Sequence, residues 1–254
     1  MNFEQLKQQW LAEEACAHIH GWDFSHLDGR WDDNSNLPWD YREVLDRFRR
    51  PDSRILDLDT GGGEFLLSLH HPCELTAATE FFPPNAALCE KVLLPLGIDF
   101  RTADAKGTLP FPDAAFDLIL DRHGDVCVPE LWRLLKPGGV FVTEQVGEQN
   151  DRELVELLLP GLPLPYPGWD LSHVSADFTR HGFRILEAQE AFDPIRFYDV
   201  GALVWFARII EWEFPGFSVE ACFDRLLEAQ KKLEREGALE CRAHRFLLAV
   251  QKPD

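Results

Sequence analysis

The chain has 254 residues, 45% of them hydrophobic and 27% charged, which is enough to bury a substantial core and ordinary for a globular protein. Against 25 Lys+Arg stand 44 Asp+Glu, a formal net charge of −19. That field repels polyanions, so RNA, DNA and anionic membrane surfaces are disfavoured partners.

"MNFEQLKQQWLAEEA" carries charge throughout, and no stretch nears the roughly 18 apolar residues of a membrane span. The expectation is a soluble, cytoplasmic protein with no membrane partner. The six cysteines form no CxxC pair and no Cys/His cluster at zinc spacing. They read as buried or idle thiols, and no metal is expected.

Residues 1–50 read as an N-terminal helical and loop cap. From Asp52 the chain alternates: a strand over 54–59, a helix over 64–71, a strand over 74–80, and a helix over 84–97 stopped by Gly97. Strands follow over 98–104 and 116–123, the second apolar enough to be buried on both faces. A helix over 128–139 ends at Pro137-Gly138-Gly139, and a strand covers 140–146. This rhythm predicts a parallel, doubly wound sheet with helices on both faces and right-handed crossovers.

Later segments differ. A helix over 151–161 precedes a proline-rich connection, 162–172, and a short helix over 175–183 runs into a strand over 184–192. Residues 198–212 are apolar nearly all round and read as a buried helix; 219–237 are amphipathic. A last strand covers 244–253. Residues 51–254 thus form one domain, with a helical insertion at about 193–240 between the last two strands.

Ligands of such sheets bind at the carboxyl ends of the strands. There stands "LDLDTGGGEF", residues 56–65. Gly61 and Gly63 let the backbone approach a ligand closely. Glu80, about twenty residues on, suits both hydroxyls of a ribose, and Asp104 suits the exocyclic amine of an adenine. The dinucleotide fingerprint needs glycine where Leu66 stands, and the G-K-[ST] of a phosphate loop is absent. Several carboxylates would repel a diphosphate. An adenosine cofactor without phosphate and with positive charge fits better, and S-adenosyl-L-methionine is that molecule.

The chain resembles the class I, Rossmann-like S-adenosylmethionine-dependent methyltransferases. The resemblance spans roughly Asp52 to Val146 and rests on "LDLDTGGGE", "TAATE", "TADA", "LPFPDAAFDLILDRH" and "LWRLLKPGGVFVTEQV", in that order. It implies a mostly parallel seven-stranded sheet with an antiparallel last strand. It also implies that Asp57, Gly61 and Gly63 lie under the methionine part of the cofactor. Glu80 would hold the ribose, Phe81 would pack on the adenine, Asp104 and Ala105 would meet its edge, and Asp121 and Arg122 would lie near the sulfonium. The family pattern D-x-G-x-G-x-G is broken at Asp59. Three readings are open there: a tolerated turn variant, a carboxylate that meets the cofactor's ammonium, or lost binding, against which Glu80 and Asp104 argue.

Methyl transfer is an in-line displacement in which the protein aligns donor and acceptor and removes a proton where needed. His123 is the candidate base, with a polar rim residue as the alternative. Trp39, Tyr41, Trp169 and Tyr198, with His173, are candidates to line an acceptor pocket; Trp22 and Trp31 belong to the same early aromatic cluster. The expected function is methyl transfer to O or N of a small molecule. An rRNA or tRNA methyltransferase and a non-catalytic S-adenosylmethionine-binding protein are the rivals. The oligomeric state is left open.

Overall fold

The computed structural model describes residues 2–18, 23–33 and 36–254. Its elements begin with α1 (Phe3–Cys16), β1 (Trp31–Asp32), α2 (Tyr41–Phe48), β2 (Ile55–Leu58), α3 (Glu64–Ser68), β3 (Thr76–Glu80), α4 (Pro83–Val92) and β4 (Asp99–Thr102). They continue with β5 (Phe116–Arg122), α5 (Val128–Leu134), β6 (Leu135–Val146), α6 (Arg152–Leu158), α7 (Leu171–Arg180), β7 (Arg184–Phe197), α8 (Val200–Ile209), α9 (Phe223–Glu236) and β8 (Leu239–Gln251). Trp22 lies outside the described residues. Among those described, no helix is long and apolar enough to cross a membrane.

Eight strands lie in the order β1-β7-β8-β6-β5-β2-β3-β4. The pairs β3–β4, β2–β3, β2–β5 and β5–β6 are parallel, and β8 runs antiparallel to β6. This is the mostly parallel sheet that the β-α rhythm implies. The eighth strand is the addition: Trp31–Asp32, in the segment read as a cap, pair antiparallel with Arg196–Phe197. Two residues are too few to show a period-2 pattern.

Several boundaries move: the helix read over 84–97 ends at Val92, and the one read over 175–183 starts at Leu171, within the expected connection. The helix read over 128–139 ends at Leu134, because Leu135 is already extended and Lys136 precedes a proline, which disfavours helix. Pro137-Gly138-Gly139 lie inside β6, tied to the chain end by the Gly138 N–H, which donates to the Lys252 carbonyl at 2.8 Å. Strand β7 runs on to Phe197 through Pro194, and β8 starts at Leu239 rather than 244.

Two compact units are distinguishable. One comprises 38–147, 168–190 and 245–254; the other comprises 1–37, 148–167 and 191–244. In the first, Leu56, Ile119, Phe141 and Phe246 on the sheet share a core with Leu131 of α5 and Phe178 of α7. Four consecutive buried residues make β2 a central strand, covered on both faces. In the second unit, α8 is buried on nearly every side, and Trp10, Phe214 and Leu226 complete its core. There Arg30 forks onto Asp199 at 2.8 and 2.7 Å and reaches Glu13 at 2.8 Å. Glu13, Cys16 and His26 bring three potential metal ligands within 4.8 Å, but the Arg30 guanidinium already supplies the positive charge there, 3.1 Å from His26 Nε2.

Candidate cofactor site

In the first unit the carboxyl ends of β2, β3, β5 and β6 present a run of acids on one frame. At the end of β2, Asp57 is buried and accepts from Thr60 Oγ1 at 2.6 Å. The Thr60 N–H donates to the Thr79 carbonyl of β3 at 2.9 Å, so the loop after β2 is stitched to the neighbouring strand. Asp59 and Gly61 within it are left-handed, with φ of 48° and 64°.

Glu80 closes β3 and holds the loop from below. Its carboxylate, 5% exposed, accepts from the Gly61 N–H at 2.9 Å and from the Phe81 and Phe82 N–H groups at 2.8 Å each. The Cys89 thiol donates to the Gly61 carbonyl at 3.1 Å. With both backbone groups of Gly61 held, its remaining side faces open space: a Cβ built there meets nothing within 4 Å. A ligand can approach the backbone at that face as no side chain would allow.

Asp121, fully buried on β5, accepts from Thr143 Oγ1 at 2.8 Å, Gln145 Nε2 at 2.6 Å and the Gly124 N–H at 3.1 Å. Asp59 Oδ2 accepts from the Asp125 N–H at 3.1 Å, which joins the loop after β2 to the loop after β5. Gly124 lies between the two carboxylates: a Cβ there would sit 2.3 Å from Asp121 Oδ1 and 2.8 Å from Asp59 Oδ2.

Crowding of this kind disfavours ionisation. Burial, augmented by the charges of Asp59 and Glu80, raises Asp57 to about 7 although Thr60 and Arg122 oppose it. Burial also raises Asp59 to about 6, and it holds Asp121 well above the usual carboxylate range. None of Asp57, Asp59, Glu80 and Asp121 is ion-paired to a lysine or arginine among the described residues. Arg122 stacks its guanidinium 5.0 Å from the centre of the Phe65 ring, and its charge reaches Asp57.

His123 follows at the end of β5 in a left-handed conformation, φ 67°, with its backbone N–H donating to the Glu144 carbonyl at 2.9 Å. Its ring Nε2 lies 3.8 Å from Glu144 Oε1. About a third of the side chain is open to solvent, yet the protein packed round the ring, then the charges of Arg245 and Arg122, push its pKa down to about 3. The ring is therefore neutral at physiological pH.

Asp57, Asp59, Gly61, Gly63, Glu80 and Asp121 come together around one loop. Phe81 stands exposed at its rim, Ala105 is buried, and Asp104 is exposed and accepts from the Lys106 N–H at 2.9 Å. Two of the aromatics are pegs in the wall. Trp39 Nε1 donates to Glu144 Oε2 at 2.7 Å, and the Tyr41 hydroxyl donates to the Asp121 carbonyl at 2.8 Å while the Asp121 N–H donates to it at 3.2 Å. Trp169 packs edge-on against Phe246. His173 is largely exposed and pairs with Asp170, the residue that caps α7. Tyr198 belongs to the other unit and is exposed. Sequence reasoning did not assign Thr60 or Thr143. The only signal was their polarity, most visible in "VTEQV", an unusually polar end for a buried strand.

A family sequence model described as "Methyltransferase domain" matches residues 56–143, from the middle of β2 to the middle of β6. Over residues 56–143 the chain therefore has the sequence of a methyltransferase domain. Its glycine loop, Glu80 and Asp121 all fall inside that match. The domain is also similar to a demethylmenaquinone methyltransferase of Thermus thermophilus, 33% identical over 118 residues, covering 42% of this chain and 54% of that protein. A phthiotriol/phenolphthiotriol dimycocerosates methyltransferase of Mycobacterium tuberculosis is 32% identical over 111 residues, 41% of this chain and 40% of that protein. The chain thus spans about half the length of the first relative and less of the second. A solved structure from Bacillus halodurans C-125 shares the fold, with TM-score 0.58 and 14% identity over 85% of this chain and 99% of that one.

Proposed function

We propose that the chain is a methyltransferase that uses S-adenosylmethionine to methylate O or N of a small-molecule acceptor. The observation that carries the reading is the set of carboxylates, ion-paired to no lysine or arginine among the described residues, around a glycine loop whose outer face is open. Such a site suits a ligand that carries positive charge and no phosphate. Asp57, Asp59, Gly61, Gly63 and Asp121 would hold the amino-acid and sulfonium end, with Arg122 beside it. Glu80, Phe81, Asp104 and Ala105 would hold the adenosine. The cofactor supplies a methyl group on a positively charged sulfur, which an acceptor atom displaces.

The chain's own residues would position the acceptor and take its proton. His123, at the strand end beside Asp121, is the group we assign to that proton; because its surroundings disfavour the imidazolium, the Glu144 carboxylate 3.8 Å from its ring would have to stabilise the protonated form. Trp39 and Tyr41 fix Glu144 and Asp121 from behind. A small-molecule acceptor is supported by the net charge of −19, which disfavours RNA, and by two relatives named for small-molecule substrates.

Calorimetric titration with S-adenosylmethionine and S-adenosylhomocysteine tests the reading. Saturable binding of both is expected; no binding at millimolar ligand would overturn it. Label transfer from the methyl-labelled cofactor to a panel of phenols, quinols and amines then tests turnover, which His123→Ala should slow.

A further inference from the structure

We propose that Asp59 sets the charge selectivity of the cofactor site, favouring a ligand of net positive charge over a neutral analogue of the same shape; this rests on the S-adenosylmethionine reading above. Asp59 occupies a left-handed backbone position that glycine fills most easily, so a carboxylate is carried there at a conformational cost. The side chain is only partly buried and within reach of a ligand on the loop. Its bond from the Asp125 N–H aims it across the mouth of the site, where it converges with Asp121 over Gly124.

The charges that face it are nearly all negative: Asp57 on β2, Glu80 on β3, Asp104 beyond β4, Asp121 on β5 and Asp125 in the following loop. The nearby cations are engaged elsewhere. Arg122 lies over Phe65, and Lys106 pairs with Asp125 at 3.0 Å. Without a ligand, the cluster relieves its repulsion by holding a proton, consistent with the rise of Asp59 to about 6. A cation entering the site takes over that role, and the proton leaves to the buffer. A ligand of the same shape without the sulfonium charge relieves less of that repulsion.

S-adenosylmethionine and S-adenosylhomocysteine differ by one methyl group and one positive charge, which makes them the probes. Their dissociation constants are to be measured by calorimetry from pH 5 to 8 for the wild type, Asp59→Asn and Asp59→Gly. Both substituents accept a left-handed backbone, and thermal unfolding reports whether the variants fold. For the wild type, displacing a proton from a group near 6 contributes about a tenfold tightening of the cationic ligand between pH 5 and pH 7, to which Asp57, near 7, adds its own share. The neutral thioether should change less. In both variants, affinity for the cation should fall by about tenfold, affinity for the thioether by clearly less, and the pH dependence should shrink by the share of Asp59, leaving that of Asp57. Equal losses for both ligands, or an undiminished pH dependence in the variants, would overturn the inference and leave the cofactor reading standing. Failure of the wild type to bind either ligand would overturn both.

Discussion

Glu80 is where a single substitution should reveal whether the glycine loop is held as described. Glu80→Ala removes one buried carboxylate and with it the acceptors of three backbone N–H groups, those of Gly61, Phe81 and Phe82. Phe81 and Phe82 are exposed residues, so water can reach their amides once the carboxylate is gone. The Gly61 amide, in a partly buried loop, is the one left without its acceptor. Losing a charge-assisted bond at such a site costs about 1.5–3 kcal/mol. Relief of repulsion with Asp57 and Asp59 offsets part of that, which gives a net loss of roughly 1–2 kcal/mol. Denaturant unfolding of the wild type, Glu80→Ala and Glu80→Gln measures it. Glu80→Gln, which keeps one acceptor oxygen, should fall between the other two. Because Gly61 is then free to turn, S-adenosylhomocysteine binding should be lost in Glu80→Ala. Unchanged stability together with unchanged binding would show that Glu80 does not hold the loop.

Gly124→Ala should destabilise by about 1–3 kcal/mol, because its methyl group would press on two carboxylates that are themselves pinned; chemical denaturation reads this. Tyr41→Phe removes the hydroxyl that joins the Asp121 backbone and the Val142 carbonyl, and should cost about 1–2 kcal/mol in the same assay, with a further loss of cofactor affinity. The ligand-free protein should gain stability as pH falls from 8 to 5. Asp57 and Asp59 are raised to about 7 and about 6, so the folded state binds protons in that window that the unfolded chain does not, and the gain is lost as pH rises again. A scan of melting temperature against pH tests this, and Asp57→Asn should flatten it. In the other unit, Leu226→Ala, which truncates a fully buried leucine of α9, should cost about 2–5 kcal/mol by denaturant unfolding.

The parallel sheet was legible because its strands are short apolar runs closed by acids, and periodicity carries that signal. The glycine loop was legible for a related reason: Gly61 and Gly63 serve backbone geometry, which a sequence displays directly. The end of α5 was not, since "VPELWRLLKPGG" keeps helical composition to Lys136 and only the pairing of Phe116 with Leu135 draws the chain into a strand. The jobs of Trp39 and Tyr41 were not legible either. An aromatic beside a proline looks like a pocket wall, whereas here the polar tips reach 105 and 80 residues along the chain to Glu144 and Asp121. Contacts at that separation leave no local pattern. Glu80 shows an intermediate case: its position at a strand end was plain, but its hold on the Gly61 amide came only from the fold.

The most direct measurement is a crystal structure of the protein with S-adenosylhomocysteine bound. The ligand should lie against the open face of Gly61, its amino-acid end and sulfur among Asp57, Asp59 and Asp121, with the sulfur toward Asp59 and Asp121, and its adenosine toward Glu80 and Asp104. A ligand seated elsewhere, or a glycine loop still empty under saturating ligand, would contradict the account.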